Sequence, residues 1–284
     1  MLKRTISGSV YVALIVGFFL LRNVDARFFQ VFIAFLCAVG TFEVARAERK
    51  LTNNFVFFSS IALGGLGVPF YCLIKYCFKL KFALLIMLGI CLLTFIIALI
   101  CCIAKKKNKE EIFANVLVYV YPIISLLLTC EMNDFVGAKG FISLLLLFVI
   151  SPCSDTMAYL TGMTYGKIKK GNVKKLCPNL SPKKTVAGAI GGLVGGGLAG
   201  LICYFIFKGQ ILTLGLTLPI VWLILIGIIG SILTQVGDLF ESYVKRKVNI
   251  KDMGKIMPGH GGVMDRIDGT LFLSVFLYIV FLLI

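Results

Sequence analysis

Four acidic residues form two pairs near the C-terminal end of the sequence. Asp238 and Glu241 are three residues apart, and so are Asp265 and Asp268. Residues at i and i+3 lie on one face of a helix, and carboxylate oxygens are the ligands that hard cations take. The spacing therefore predicts a cation site. Ordinary solvated helix ends are the alternative that the spacing alone leaves open.

The segment between the two acidic pairs combines cations with glycines. Its basic residues are Lys245, Arg246, Lys247, Lys251, Lys255 and Arg266. Residues 258–262 read Pro-Gly-His-Gly-Gly, and glycines let backbone N–H groups approach a phosphate closely. His260 is the only histidine in the chain. It is either a structural residue or part of a phosphate-binding turn, and the residues alone favour neither.

A second basic segment, 163–184, has seven lysines and no acidic residue. A polybasic loop beside a bilayer usually binds anionic headgroups, which accounts for Lys169–Lys175. Residues 181–185, Ser-Pro-Lys-Lys-Thr, instead stand where an apolar run begins, and free N–H groups at a helix start favour phosphate. Asp155 lies inside an apolar run, where ionisable groups are costly and usually functional. Pairing with a lysine is the alternative for Asp155.

The elements that must position these residues are membrane helices. Of the 284 residues, 59% are hydrophobic and 15% are charged, against about 45–50% and about 25% in soluble proteins. This composition excludes a soluble globule and predicts an all-α, polytopic integral membrane protein, whose loops hold most of the acidic and basic residues named above. About nine spans are long and apolar enough to cross a bilayer: 7–21, 28–45, 54–74, 82–104, 112–130, 141–162, 185–207, 218–240 and 270–284.

The cations are unevenly divided between the two ends of these spans. With a cytosolic N-terminus, 22 of the 29 Lys and Arg residues fall on the cytosolic side, as the positive-inside rule requires. The rule predicts that the loops 163–184 and 241–269 both face the cytosol. A net charge of +16 placed in membrane loops indicates anionic lipid or a polyphosphate substrate, and no nucleic acid.

A family resemblance rests on residues 242–268, which read Ser-Tyr-Val-Lys-Arg-Lys-Val-Asn-Ile-Lys-Asp-Met-Gly-Lys-Ile-Met-Pro-Gly-His-Gly-Gly-Val-Met-Asp-Arg-Ile-Asp. This segment resembles the signature of the phosphatidate cytidylyltransferases, also called CDP-diacylglycerol synthases. Three further segments are similar to the same family: residues 235–241, residues 155–159 together with Gly162, Gly166 and Lys167, and residues 181–185. The similarity is dense from about residue 151 to 269. One departure is Ala187-Gly188, where many members have a glutamate before glycine, so that carboxylate is not essential to the chemistry.

The resemblance implies a reaction. The phosphate of phosphatidic acid attacks the α-phosphorus of CTP, giving CDP-diacylglycerol and pyrophosphate. It also implies Mg²⁺, with room for a second cation, on carboxylates matching Asp238 and Asp265, supported by Glu241 and Asp268. Both reactants are anionic, so a metal and basic side chains must offset their repulsion.

The remaining roles also follow from the resemblance. The residues expected to contact phosphates are Lys245, Arg246, Lys251 and Arg266. His260 is expected to orient a phosphate oxygen or donate to it. The residues expected to bind substrate are Asp155, Tyr159, Ser181, Lys183, Lys184, Gly261 and Gly262. Which basic loop holds the lipid and which the nucleotide stays open.

The chain divides by motif content into an N-terminal transmembrane region, 1–140, with about five spans, and a catalytic region, 141–284. The expected location is the bacterial plasma membrane, with membrane lipids as neighbours and a homodimer as one option. Rival functions are cytidylyl transfer to another lipid phosphate, and a transporter with Asp155 and Asp238 on its pathway. A transporter predicts two related halves, and no internal repeat is visible. The Asp-Gly-x-x-Ala-Arg pattern of CDP-alcohol phosphotransferases is absent from the sequence.

Overall fold

The computed structural model describes residues 2–257 and 261–284, with side chains from Gly8 onward. Its helices are α1 (Leu2–Arg22), α2 (Ala26–Ala47), α3 (Asn54–Cys72), α4 (Ala83–Ala104), α5 (Lys109–Val118), α6 (Ser125–Asn133), α7 (Ala138–Ile168), α8 (Val186–Ile206), α9 (Lys208–Leu212), α10 (Pro219–Lys247) and α11 (Met264–Leu283). Two π-helical segments, Leu73–Cys77 and Tyr119–Ile124, extend α3 and join α5 to α6. Two short strands, β1 (Lys175–Cys177) and β2 (Ser181–Thr185), complete the described structure.

Eight helical segments of the described chain are long and apolar enough to cross a membrane. They are Ala26–Ala47, Asn54–Cys77, Ala83–Ala104, Lys109–Asn133, Ala138–Ile168, Val186–Ile206, Pro219–Lys247 and Met264–Leu283. The first predicted span corresponds to a shorter apolar stretch, Gly8–Arg22. The protein is therefore an all-α, polytopic integral membrane protein, as the sequence predicts.

Several helices extend into segments that the sequence assigned to loops, among them α11, which begins at Met264 within the predicted loop 241–269. Helix α7 extends to Ile168 and α10 to Lys247, so 163–168 and 241–247 are helical. The last turn of α10 carries Lys245, Arg246 and Lys247, and cations there interact favourably with the negative end of the helix dipole. Polarity therefore marks where these helices leave the apolar zone, but not where they end.

A β-hairpin interrupts the helical architecture. Strands β1 and β2 pair antiparallel, with Lys175 opposite Thr185 and Cys177 opposite Ser181. Helix α8 begins directly after β2, and the Thr185 side chain caps it by accepting a hydrogen bond from the Gly188 N–H at 3.0 Å. The Ser-Pro-Lys-Lys-Thr run is thus fixed at the start of a span, as its position in the sequence predicts.

The chain forms two compact units. The first contains the residues up to Glu131 together with Val248–Ile267, and the second contains Met132–Lys247 and Asp268–Ile284. The segment 248–267 packs in the first unit, where its residues Val263 and Met264 donate backbone hydrogen bonds to Glu43 of α2. The predicted division into 1–140 and 141–284 followed motif content rather than packing, and as a functional division it stays a prediction.

In the second unit, the glycine-rich helix α8 packs closely on α7 and α10. A Cβ added at Gly195 would lie 2.7 Å from the carbonyl oxygen of Cys153, and one at Gly196 would overlap the Gly227 backbone. Small residues at these positions therefore let the helix backbones approach closely. The same helices share a polar layer, in which the Ser154 and Ser231 hydroxyl groups are 2.6 Å apart.

Candidate active site

A cavity of about 740 Å³ lies in the second unit, among residues of α7, the hairpin, α8 and α10. Two carboxylates line it, Asp155 and Asp238, together with Tyr159. Five lysines also line it: Lys167, Lys170, Lys175, Lys183 and Lys184. Ligand cavities for small molecules are usually about 300–1,000 Å³. The cavity therefore has the size and the cations to bind a ligand that carries several phosphates.

Small residues bring the hairpin lysines close to α7. A Cβ at Gly188 would lie 2.8 Å from the Ala158 carbonyl oxygen, and one at Gly162 would lie 3.0 Å from Thr185 Oγ1. The start of α8, and with it the end of β2, consequently lies against the C-terminal third of α7. Asp155 and Tyr159 are one turn apart on α7, and Tyr159 is 68% exposed.

Lys184 forms an ion pair with Asp238 across the cavity wall. The side chains are 24% and 36% exposed, respectively. Both residues line the cavity, so a ligand phosphate can compete with Asp238 for the Lys184 ammonium group. The pair links a residue of the Ser-Pro-Lys-Lys-Thr run to one of the predicted metal ligands.

Three carboxyl groups of the second unit lie close together, two on α10 and one on α11. The Asp268 carboxyl group lies close enough to the carboxyl groups of Glu241 and Asp238 to interact with both. Glu241 is fully buried and accepts a 2.6 Å hydrogen bond from Lys245 Nζ. Lys184 and Lys245 therefore offset part of the repulsion within this carboxyl cluster, which we define as Asp238, Glu241 and Asp268.

The carboxyl cluster fits a hard cation in the chemistry of its donors, which are all oxygens. Within residues 2–257 and 261–284, however, no three His, Cys, Asp or Glu side chains converge on one metal position. Mg²⁺ is usually held by one or two carboxylates and completes its shell with water and substrate phosphates. The observed donor set suits such a partial site rather than a cage built from protein alone.

Asp265, in the first turn of α11, organises described residues of the segment that precedes this helix. The Oδ2 atom of Asp265 accepts hydrogen bonds from the backbone N–H groups of Met253 (2.9 Å) and Gly262 (2.7 Å). Gly261 has φ +87°, and its carbonyl oxygen accepts a 2.9 Å hydrogen bond from the Met257 N–H. A Cβ at Gly261 would also lie 2.6 Å from Asp265 Oδ2. Glycine is therefore required at Gly261 both by conformation and by space.

Comparison with known proteins identifies the family of this chain. A family model described as "Cytidylyltransferase family" matches residues 2–284. The chain belongs to the cytidylyltransferase family. It is similar to proteins named phosphatidate cytidylyltransferase from Bacillus subtilis strain 168 (42% identity over 125 residues), Rickettsia conorii (39% over 161) and Thermotoga maritima (32% over 197). The matched segments cover 44%, 56% and 66% of this chain, and 42%, 65% and 67% of those proteins.

The structure places the residues that the family resemblance singled out in two groups. The group in the second unit comprises Asp155, Tyr159, Ser181, Lys183, Lys184, Asp238, Glu241, Lys245, Arg246 and Asp268, and the group in the first comprises Lys251, Gly261, Gly262, Asp265 and Arg266. Ser181 begins β2 and is not among the described residues that line the cavity. Arg246, Lys251 and Arg266 are exposed. His260 lies outside the described residues, so its predicted role stays a prediction.

Sequence reasoning overlooked Glu43. This residue of α2 is 2% exposed and its carboxylate accepts hydrogen bonds from Met264 and Val263 of the family's signature segment. The signal was available, because Glu43 is an ionisable residue inside a predicted span, the criterion that singled out Asp155. The sequence also assigned Lys170 and Lys175 to headgroup binding alone, whereas both line the cavity.

Proposed function

We propose that this protein transfers the cytidylyl group of CTP to phosphatidic acid, releasing pyrophosphate and forming CDP-diacylglycerol. The observation that carries the proposal is the cavity of the second unit. It combines five lysines with Asp155 and Asp238 among membrane-spanning helices. The family assignment and the names of the similar bacterial proteins support the same reaction.

The reaction joins two anions, and the cavity residues act mainly on charge and position. An oxygen of the phosphatidic acid phosphate attacks the α-phosphorus of CTP, and the bond from that phosphorus to the oxygen bridging the α- and β-phosphates breaks. Phosphoryl-transfer chemistry of this kind depends mostly on positioning and charge stabilisation. Lys183 and Lys184 are placed to bind phosphate oxygens, and Lys184 exchanges its ion pair with Asp238 for one with substrate.

We also propose Mg²⁺ as the cofactor. The carboxyl cluster would hold it through Asp238, with Glu241 and Asp268 in support, and the bound ion would neutralise charge on the transferring phosphate. Binding of Lys184 to substrate leaves Asp238 available as a ligand. The assignment of Asp265 to a metal and the presence of a second cation remain predictions from the resemblance.

The proposed orientation has the N-terminus and the basic loops in the cytosol of a bacterial cell, in the plasma membrane. The cation asymmetry supports this orientation, because 22 of 29 Lys and Arg residues fall on one side. The bacterial sources of the similar proteins support the location. The same orientation presents the hairpin lysines to the compartment that contains CTP.

Competition between lipid phosphates tests the substrate. Purified protein is supplied with CTP and an equimolar mixture of phosphatidic acid, a prenyl phosphate and an archaeal-type ether-linked phosphatidate, and the CDP-lipid products are separated. We expect CDP-diacylglycerol as the main product. A main product built on either of the other two lipids would overturn the assignment of phosphatidic acid, while leaving cytidylyl transfer intact.

A further inference from the structure

We propose that Glu43 is a positioning residue for the signature loop, which we define as residues 253–257 and 261–264. This inference rests on the proposed cytidylyl transfer for its activity readout, but its contacts all lie within the first unit. Glu43 belongs to α2 and is separated from Met264 by 221 positions in the chain. Its side chain therefore ties the family's C-terminal motif to an N-terminal membrane helix.

The contacts of Glu43 are with backbone and glycines. Its Oε2 atom accepts a 2.9 Å hydrogen bond from the Met264 N–H, and its carboxylate also accepts one from the Val263 N–H. Met264 is the first residue of α11, where free N–H groups and the helix dipole favour an anion. A carboxylate at this position fixes where α11 begins.

Two glycines of the loop make room for that carboxylate. A Cβ at Gly254 would overlap Oε1 of Glu43, and a Cβ at Gly262 would lie 2.6 Å from Cδ of the same side chain. Residues on both described parts of the loop therefore pack against the Glu43 carboxylate. Neither glycine has positive φ, so space and not backbone conformation requires glycine at these two positions.

Glu43 and Asp265 each accept backbone N–H groups from neighbouring residues of the signature loop. Asp265 takes the N–H groups of Met253 and Gly262, whereas Glu43 takes those of Val263 and Met264. The Gly262 N–H thus binds one carboxylate while its Cα packs on the other. Displacing Glu43 should move Gly262 and with it the Asp265 carboxylate, which the resemblance assigns to catalysis.

Stability alone does not explain Glu43. The side chain is 2% exposed, and its Oε1 atom has no hydrogen-bond partner among the described residues. A buried polar atom without a partner is unfavourable, and a neutral group that accepts the two N–H bonds would avoid a buried charge. A role in holding the loop accounts for this side chain, because its Oε2 atom accepts the Met264 N–H at the start of α11 and its carboxyl group fills the space beside Gly254 and Gly262.

The test combines loop accessibility with kinetics on the full-length protein in detergent. Lys251 and Lys255, at the edge of the loop, are exposed, so trypsin cleavage there reports loop order, and cleavage at the exposed Lys169 and Lys170 serves as the internal reference. Glu43→Ala should raise cleavage at Lys251 and Lys255 by about tenfold, the ratio that corresponds to about 1.4 kcal/mol, without changing the reference sites.

The kinetic effect should follow the loop. For Glu43→Ala we expect kcat/KM to fall by about tenfold or more, mainly through kcat. Glu43→Gln keeps an acceptor oxygen, so its melting temperature should equal that of the wild type. It should retain most of the resistance of the loop to trypsin and lose activity only in part. The matched control is Glu131→Gln, which removes a part-buried carboxylate of the same unit that binds Lys75 at 2.9 Å. This control should leave the cleavage ratio at Lys251 and Lys255 unchanged.

Steric coupling provides the second variant set. Gly262→Ala should mimic Glu43→Ala, because the added methyl group meets the Glu43 carboxylate. The double variant Glu43→Asp with Gly262→Ala has a shorter acid, so it should recover part of the resistance to trypsin. The positioning role would be overturned if Glu43→Ala kept the wild-type resistance to trypsin and the wild-type kcat/KM. It would also be overturned if cleavage accelerated equally at all lysines. If instead the wild type makes no CDP-lipid while the cleavage pattern follows Glu43 as described, the proposed reaction fails and the structural inference stands.

Discussion

The variant Lys184→Met distinguishes two roles for Lys184, a structural ion pair with Asp238 and a contact with substrate. The Lys184 and Asp238 side chains are 24% and 36% exposed, and an exposed pair of this kind contributes about 0–1 kcal/mol to stability. A hydrogen bond between a lysine and a phosphate contributes about 1.5–3 kcal/mol. If Lys184 binds substrate in the transition state, kcat/KM should therefore fall by about 10- to 100-fold, since 1.4 kcal/mol is about tenfold.

The assay measures kcat/KM for CTP and for dispersed phosphatidic acid together with the melting temperature in detergent. Lys169→Met is the matched control, because Lys169 is an exposed lysine of the same basic segment that is not among the described cavity residues. Lys184→Arg should retain more activity than Lys184→Met because it keeps the charge. A Lys184→Met variant that loses thermal stability but keeps kcat/KM within about threefold of Lys169→Met would refute the substrate contact.

Three further predictions address the metal, the turn and the topology. Asp238→Asn and Asp265→Asn should each abolish turnover in protein that still folds and inserts. If the two carboxylates act as a unit, the double variant should be little worse than either single variant. Near-normal turnover in either single variant would refute a joint role for the two residues. Gly261→Ala should strain a residue at φ +87° by about 1 kcal/mol or more and lower kcat, whereas a loss of melting temperature with an unchanged kcat would make the turn structural only. Cys177, in β1, should react with an impermeant thiol reagent only from the cytosolic face when the other cysteines are replaced, and labelling from outside sealed cells would reverse the topology.

Local patterns in the sequence predicted much of the fold. Apolar runs located the membrane spans because a bilayer fixes the length of a spanning helix. The i, i+3 spacing of Asp238 and Glu241 correctly placed both on one helix, since α10 continues through Glu241 to Lys247. The position of Ser-Pro-Lys-Lys-Thr before an apolar run likewise predicted its place at the start of α8.

Contacts between distant residues were not predictable in the same way. The hairpin depends on pairing Lys175 with Thr185, and neither short strand has the apolar alternation that marks a strand. The Lys184–Asp238 ion pair and the contact of Glu43 with Met264 join residues far apart in the sequence. A single sequence contains no spacing rule for such contacts, so only the folded chain identifies them.

The most direct test of the proposed function follows the two ends of the CTP triphosphate. Purified protein is incubated with phosphatidic acid and Mg²⁺, using CTP labelled at the α-phosphorus in one sample and at the γ-phosphorus in another. We predict that the α-label enters the lipid as CDP-diacylglycerol and that the γ-label is released as pyrophosphate. When Mg²⁺ is chelated, we expect no label in the lipid and no release of pyrophosphate. Transfer of the γ-label to lipid, or absence of the α-label from lipid in folded protein, would contradict cytidylyl transfer.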